Sequence, residues 1–224
     1  PNISKRGLAD SMYESFDKNG IKYSIYNRTQ NNPTTANVEE GYDIYRENKC
    51  RAIVAFGGGS PMDCAKAIGA RVSNPTSSIM SMAGMFKVKK KTPVFFAVPT
   101  TAGTGSEATV AAVITDEKTG IKYPLADYEL MPDMAIVDAD MMMNAPKGLT
   151  SASHSIEAYA AMLATDFTDS LALRSLKMIF EYLPRAYDNG PNDPVAREKM
   201  AHAATIAGMA FANAFLGICH SMAH

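Results

Sequence analysis

The chain has 224 residues, 46% of them hydrophobic and 20% charged, with a formal net charge of -1, which describes a globular protein of one or two domains with a sizeable core. With 22 Lys and Arg against 23 Asp and Glu there is no basic excess to hold nucleic acid or an anionic membrane surface. Cys50, Cys64 and Cys219 form no CxxC pair, so neither a zinc knuckle nor a disulfide framework is expected, and the cytoplasm is the expected compartment.

No apolar run reaches the roughly 18 residues of a membrane span, and no signal peptide is recognised. Pro1-Asn2-Ile3-Ser4-Lys5-Arg6 reads as the middle of a unit whose opening strand lies ahead of it. Between Lys22 and Asp138, β-rich runs alternate with helical stretches. The runs are Lys22-Tyr23-Ser24-Ile25-Tyr26, Ala52-Ile53-Val54-Ala55-Phe56, Val94-Phe95-Phe96-Ala97-Val98 and Ala135-Ile136-Val137-Asp138. This pattern predicts a mostly parallel sheet covered by helices, with a ligand site at its strand ends. The basic cluster Lys87 to Lys91 reads as a solvated turn. From about Leu149 the strand signals stop, and Ser155 to Thr165, Thr168 to Tyr187 and Pro194 to Ala223 carry helical spacing. The fold class is therefore α/β, with an N-terminal sheet domain over residues 1–148, an all-α bundle over 149–224 and a cleft between them.

Two motifs sit at strand ends. Gly57-Gly58-Gly59-Ser60-Pro61-Met62-Asp63 follows the strand ending at Phe56 and opens a helix. Glycines there let backbone N–H groups approach a diphosphate, aided by the partial positive charge of the helix N-terminus. The triplet is neither GxGxxG nor GxxxxGK[ST], and a tight turn that merely needs glycine is the plain alternative. Pro99-Thr100-Thr101-Ala102-Gly103-Thr104-Gly105-Ser106-Glu107 follows the strand Val94 to Val98. Its hydroxyls could bond ribose, phosphate and carboxamide groups, and a solvated loop is the alternative. Two such loops on one sheet favour a shared dinucleotide. Lys122, in Gly120-Ile121-Lys122-Tyr123, adds a charge or a ribose contact, or is simply solvated.

Four histidines remain. Gly217-Ile218-Cys219-His220-Ser221-Met222-Ala223-His224 closes an apolar, Ala-rich run, Ala201 to Ala223, that reads as a helix buried all round. Residues four apart on a helix share a face, so His220 and His224 aim at one small volume, where a buried imidazole needs a metal, a carboxylate or a ligand. His154 opens the helical half, and facing the cleft with His220 and His224 it would bring three imidazoles to one divalent cation. His202 reads as structural, and the fifteen methionines as packing filler. The pattern stops at His224 without a helix stop signal, so a truncated sequence is expected.

Gly57-Gly58-Gly59-Ser60 with Asp63 and Lys66, then Pro99 to Glu107, then His154-Ser155-Ile156-Glu157-Ala158-Tyr159, then Cys219 to His224, resemble the iron-dependent (group III) alcohol dehydrogenases. The stretch Arg197-Glu198-Lys199-Met200 through Phe211 to Gly217 most resembles the alcohol dehydrogenase domain of bifunctional aldehyde-alcohol dehydrogenases. The resemblance implies a Rossmann-like domain followed by a metal-binding helical domain, and an NAD(H)-dependent enzyme interconverting a small aldehyde and its primary alcohol. It implies that Gly57, Gly58, Gly59 and Ser60 hold the NAD diphosphate, that Thr100, Thr101, Thr104 and Ser106 line the rest of the cofactor, and that Asn32 and Lys122 touch its adenosine or ribose side. His154 and His220 would bind Fe²⁺, or alternatively Zn²⁺. His224 would be the catalytic group near the nicotinamide, relaying a proton or positioning the substrate. A homo-oligomer is expected.

Two departures accompany the resemblance. The family carries an aspartate ligand four residues before the histidine that His154 matches, whereas here Thr150 stands there and Ser153 leads directly into His154. The family's third histidine ligand, in a Pro-His-Gly motif, would fall after His224. Two of four ligands are thus present, and two imidazoles alone hold Fe²⁺ or Zn²⁺ poorly against water. The rival readings are a polyol (glycerol-type) dehydrogenase of the same fold and an inactive, metal-free dinucleotide-binding fragment.

Overall fold

The computed structural model describes residues 7–143, 145–148, 150–217, 220 and 222. Strands β1 (Ala52–Gly57), β3 (Val94–Pro99) and β6 (Met134–Ala135) form a parallel sheet in the order β1-β3-β6, with Gly57 opposite Pro99. A second sheet, β2-β5-β4, joins β2 (Gly84–Met85) in parallel to β5 (Lys122–Ala126), which pairs antiparallel with β4 (Ala111–Thr115). The chain is α/β as expected. The second sheet is legible only weakly, because β2 is two residues long and β5 contains Pro124.

One expected strand is absent. Residues 22–26 pair with no strand among the described residues. They are tied instead to helix α1 (Asp10–Lys18): Ile21 N donates to Phe16 O at 2.9 Å, and Tyr23 stacks on Tyr13 with ring centroids 5.2 Å apart. β-propensity measures how a side chain suits a half-buried surface and not whether a neighbouring strand exists.

Helix α2 (Thr35–Glu47) begins with a capping box, Thr34 accepting from Asn37 N while the Asn37 side chain accepts from Thr34 N. Helix α3 (Gly59–Ser73) lies between the two sheets and buries almost everything from Met62 to Ala70. Cys64, Ala67 and Ile68 join Val38, Ile114, Leu125 and Leu130 on one side, and Met62 and Ala65 meet Ala55, Phe95 and Ala97 on the other. Burying both faces explains why this helix is rich in small and apolar residues and shows no polar stripe.

The helical half is built from α4 (Ala152–Tyr159), α5 (Asp166–Asn189) and α6 (Pro194–Ala214). Ala158, Ala172, Ala210 and Ala214 form their contact, and small side chains let the axes approach closely. Across it runs a hydroxyl relay: Ser155 Oγ donates to Ser175 Oγ at 2.9 Å, and Ser175 Oγ to Ala203 O at 2.8 Å. Met142, Met178 and Met200 fill the adjoining core, the packing role expected of them.

The expected continuous helix Pro194 to Ala223 does not form. Helix α6 ends at Ala214, and Phe215 takes φ 65° and ψ -175°, a positive-φ conformation rare for a residue with a side chain, which ends the helical path. Nor is the run buried all round, since Met209 and Asn213 are exposed. The Ala-rich composition carried a helical signal through a break that no Gly or Pro announces at Phe215.

The halves meet at a seam of two glycines. Gly105 has φ 64°, and a Cβ on it would lie 2.6 Å from Ala204 O; a Cβ on Gly208 would lie 2.5 Å from Gly105 O. Glu107 and Thr205 cross the same seam, Thr205 Oγ1 donating to Glu107 Oε1 at 2.7 Å. Gly208→Ala must push backbone against backbone and should lower unfolding free energy by about 1–3 kcal/mol. Asn213→Ala, on an exposed position of the same helix, should change it by less than about 0.5 kcal/mol in the same denaturant titration.

Candidate functional site

The parallel register places the two strand-end motifs side by side. Gly57 lies opposite Pro99, and Thr100 N donates to Gly57 O at 3.0 Å, so both loops leave the sheet from neighbouring carboxyl ends. Their contact is tight: a Cβ on Gly58 would sit 3.1 Å from Thr101 Oγ1, and one on Gly59 would sit 2.8 Å from Thr104 Cγ2. A side chain at either position would press on the threonines of the opposing loop, most closely at Gly59. The N-cap of α3, Gly58, offers no side-chain oxygen to the first-turn N–H groups. A diphosphate suits those donors, and the residues present fit a dinucleotide.

Asn32 and Lys122 are brought to one corner through β4. Asn32 is exposed with φ 56°, Pro33 O accepts from Thr115 N at 2.8 Å, and Thr115 stands opposite Lys122 in the β4–β5 ladder. Thr115 Oγ1 is buried without a hydrogen-bond partner. Of the hydroxyl loop, Thr104 is exposed and Thr101 half-buried, while Thr100 and Ser106 are buried. Ser106 Oγ donates to Asp63 Oδ1 at 2.9 Å, so this hydroxyl is engaged within the protein.

At the centre of that engagement is Lys66, a residue of the glycine motif to which the sequence alone assigns no role. Lys66 is 1% exposed. Its Nζ donates to Thr109 O at 2.7 Å, Thr109 Oγ1 and Ala111 O at 2.9 Å, and Ser106 Oγ at 3.3 Å. Asp63, one turn earlier on α3, also accepts from Val113 N at 3.0 Å. Burial pushes the Lys66 ammonium down to about 8, against the opposing pull of Asp63 and Glu107. Burial likewise pushes the Glu107 carboxyl up. A lone lysine inside the apolar run Cys64-Ala65-Lys66-Ala67-Ile68 was the signal available in the sequence.

In the helical half the structure brings His154 and His220 together, their ring centroids 4.6 Å apart. His154 also stacks on Phe211 at 4.9 Å. Burial and the neighbouring His220 push its imidazole down to about 4, so it is neutral at pH 7. Its Nδ1 is buried without a hydrogen-bond partner. His220 Nδ1 meets Glu157 Oε1 at 2.5 Å, and Gly217 N donates to Glu157 Oε2 at 2.7 Å. Burial opposes ionisation of Glu157, but the contacts from His220 and Gly217 outweigh it and hold the carboxyl below its ordinary range. With Nδ1 taken by a carboxylate, His220 presents Nε2 as its lone-pair nitrogen. An orphaned buried imidazole nitrogen beside a carboxylate-oriented one fits half of a metal site. Among the described residues no group of three or more His, Cys, Asp and Glu could hold an ion. His224 lies outside the described residues.

His202 is set apart from these. It faces a groove of about 250 Å³ lined also by Val137, Arg174, Met178 and Lys199, with its Nδ1 3.8 Å from Glu198. None of the described helices is long and apolar enough to cross a membrane.

Residues 1–139 match the family described as iron-containing alcohol dehydrogenase, and residues 144–224 match the C-terminal part of the Fe-containing alcohol dehydrogenase family. The bifunctional aldehyde-alcohol dehydrogenase AdhE of Escherichia coli K12 is 45% identical over 99% of the chain, which spans 27% of that relative. The NAD-dependent methanol dehydrogenase of Bacillus methanolicus is 42% identical over 99% of the chain and 59% of its own length. A crystal structure of 1,3-propanediol oxidoreductase superposes with a TM-score of 0.94 at 36% identity, covering 100% of this chain and 60% of the other.

The buried ammonium has a measurable signature. A lysine lowered in the folded state releases its proton before the unfolded chain does, so between the folded value near 8 and the ordinary 10.5 the unfolded state binds more protons and stability rises with pH. The gain should be at most about 3 kcal/mol across that window. Lys66→Met should lack this rise when denaturant midpoints are compared at pH 7.5 and 10.

Proposed function

Since the chain belongs to the iron-containing alcohol dehydrogenase family, we propose that it carries the cofactor cleft and part of the metal site of an NAD(H)-dependent alcohol dehydrogenase acting on a small aldehyde and its primary alcohol. The observation that carries this reading is the register of Gly57 against Pro99, which sets the glycine turn and the hydroxyl loop side by side. One dinucleotide can span both. The 42%-identical methanol dehydrogenase relative is NAD-dependent, which supports the same cofactor here.

On this reading Gly57, Gly58, Gly59 and Ser60 bind the diphosphate through backbone N–H groups, with Thr100, Thr101, Thr104 and Ser106 along the nicotinamide half. Asn32 and Lys122 receive the adenosine side. His154 and His220 hold Fe²⁺ or Zn²⁺ through neutral imidazole nitrogens. When bound, the ion supplies Lewis acidity toward the substrate oxygen and the nicotinamide supplies hydride exchange. Phe211, stacked on His154, limits the ring's rotation and the access of water to it. His224 is assigned the proton at the substrate oxygen on sequence grounds. The homo-oligomeric, cytoplasmic state belongs to the same reading. A diol substrate is the second reading, supported by the TM-score of 0.94 to a 1,3-propanediol oxidoreductase.

Two measurements test this. Gly58→Val drives a branched side chain into Thr101 and across the diphosphate path, so NADH affinity should fall more than about tenfold while circular dichroism keeps the helical signal of α5 and α6. Retained NADH affinity would remove the cofactor assignment. His154→Ala and His220→Ala, made in the full-length protein, should each lose stoichiometric metal by elemental analysis, whereas His224→Ala should keep metal and NADH and lose about 10²-fold in kcat.

A further inference from the structure

Lys66 does more than fill a buried slot. It contributes none of its side-chain bonds to its own helix: all four acceptors, Ser106 Oγ, Thr109 O, Thr109 Oγ1 and Ala111 O, belong to the stretch that carries the hydroxyl loop into β4. Asp63 grips the same stretch at two points, Ser106 Oγ and Val113 N. An i, i+3 pair on α3 therefore fixes the loop from below. From above the loop is closed by α6, because Gly105 leaves no room for a Cβ against Ala204 O and Gly208. Sideways it abuts the glycine turn through Thr101 and Thr104.

We propose that Lys66 is a positioning residue for the cofactor: its ammonium, with Asp63, holds the loop Thr100–Ser106 at the separation from Gly58 and Gly59 at which one dinucleotide engages both. The proposal rests on the dinucleotide reading given above. Lys66 touches no cofactor atom itself. It acts through Ser106 and Thr109, and the part of the ligand it governs is the half that the hydroxyl loop lines. None of the residues assigned to the diphosphate and adenosine side, Gly57–Ser60, Asn32 and Lys122, accepts a hydrogen bond from Lys66; its four acceptors all lie from Ser106 to Ala111.

This division gives a readout that general destabilisation cannot imitate. NADH and ADP are titrated calorimetrically into the full-length wild type, Lys66→Met, Thr109→Val and Gly58→Val. ADP probes the diphosphate and adenosine side without the nicotinamide half. Lys66→Met leaves one buried and one half-buried carbonyl and two hydroxyls without their donor, so the loop shifts and NADH should bind about tenfold more weakly, while ADP stays within about twofold. Thr109→Val removes one of the four acceptors and keeps the lysine; NADH should weaken about threefold with ADP unchanged. That variant decides the matter where Lys66→Met fails to fold. NADH affinity within twofold of wild type in the folded variant, or equal losses for NADH and ADP, overturns the positioning role. Failure of the underlying reading looks different: wild type then shows no saturable NADH binding, or Gly58→Val binds NADH as wild type does, and the proposal falls with it.

Discussion

A charge inside a helix that is sandwiched between two sheets must find hydrogen-bond acceptors within reach, and that requirement at Lys66 organises the sheet half. Three ammonium protons meet four acceptors, two of them backbone carbonyls, on one continuous stretch from Ser106 to Ala111. Removing the amine would leave the buried Thr109 carbonyl unpaired, at about 1–3 kcal/mol, and the half-buried Ala111 carbonyl short of a donor. The helix therefore cannot slide or rotate against β4 without breaking several bonds together. Because the helix begins at the glycine turn and the stretch ends the hydroxyl loop, the same bonds hold the hydroxyl loop at its spacing from the turn. Packing alone would be less specific, since Cys64, Ala67 and Ile68 tolerate small shifts that hydrogen bonds of 2.7 to 2.9 Å do not.

The loop that Lys66 grips is also the joint between the halves. Ala102 belongs to the core of the helical half, Gly105 rests on Gly208, and Glu107 accepts from Thr205. His154 lies near enough to Gly103 for that residue's backbone to bear on its titration. One stretch of fewer than ten residues thus touches the glycine turn, the buried ammonium, helix α6 and His154. A shift at any of them is transmitted to the others through close backbone contacts with little slack.

The motifs legible in the sequence were those whose chemistry is local. A glycine triplet after an apolar strand, a threonine-rich strand end and an Ala-rich helical run each announce themselves within ten residues, and the parallel pairing of β1 with β3 puts the first two side by side. What was not legible depended on partners far along the chain. Residues 22–26 have strand composition but no adjacent strand among those described, and the Asp63–Lys66 grip spans separations of 40 to 50 residues. The break at Phe215 was hidden because a positive φ at an aromatic residue is set by what the following segment meets, here Glu157 accepting from Gly217 N. Glu157 itself was quoted as part of a motif, but its place beside His220 could not be read from a separation of 63 residues.

The segment ahead of His154 departs most from the family pattern, and its physical chemistry agrees with the departure. Thr150 Oγ1, Ser151 Oγ and His154 Nδ1 are all buried without a hydrogen-bond partner, three of six such atoms among the described residues and all within five positions. Buried polar groups are nearly always satisfied, so such a cluster marks a place where a partner belongs. This is where the resemblance puts the aspartate ligand, which the sequence lacks: it runs directly from Ser153 to His154, with Thr150 four positions before the histidine. A carboxylate there would accept from the hydroxyls and offset the charge of an ion on the two imidazoles. Without it, the hydroxyls offer neutral oxygen, a weaker donor for Fe²⁺ or Zn²⁺ than a carboxylate, while Glu157 has its oxygens engaged by His220 and Gly217. On the metal reading proposed above, the imidazole pair is oriented by Glu157 and by the stacking of Phe211 on His154, yet the pair itself brings no negative charge to an ion.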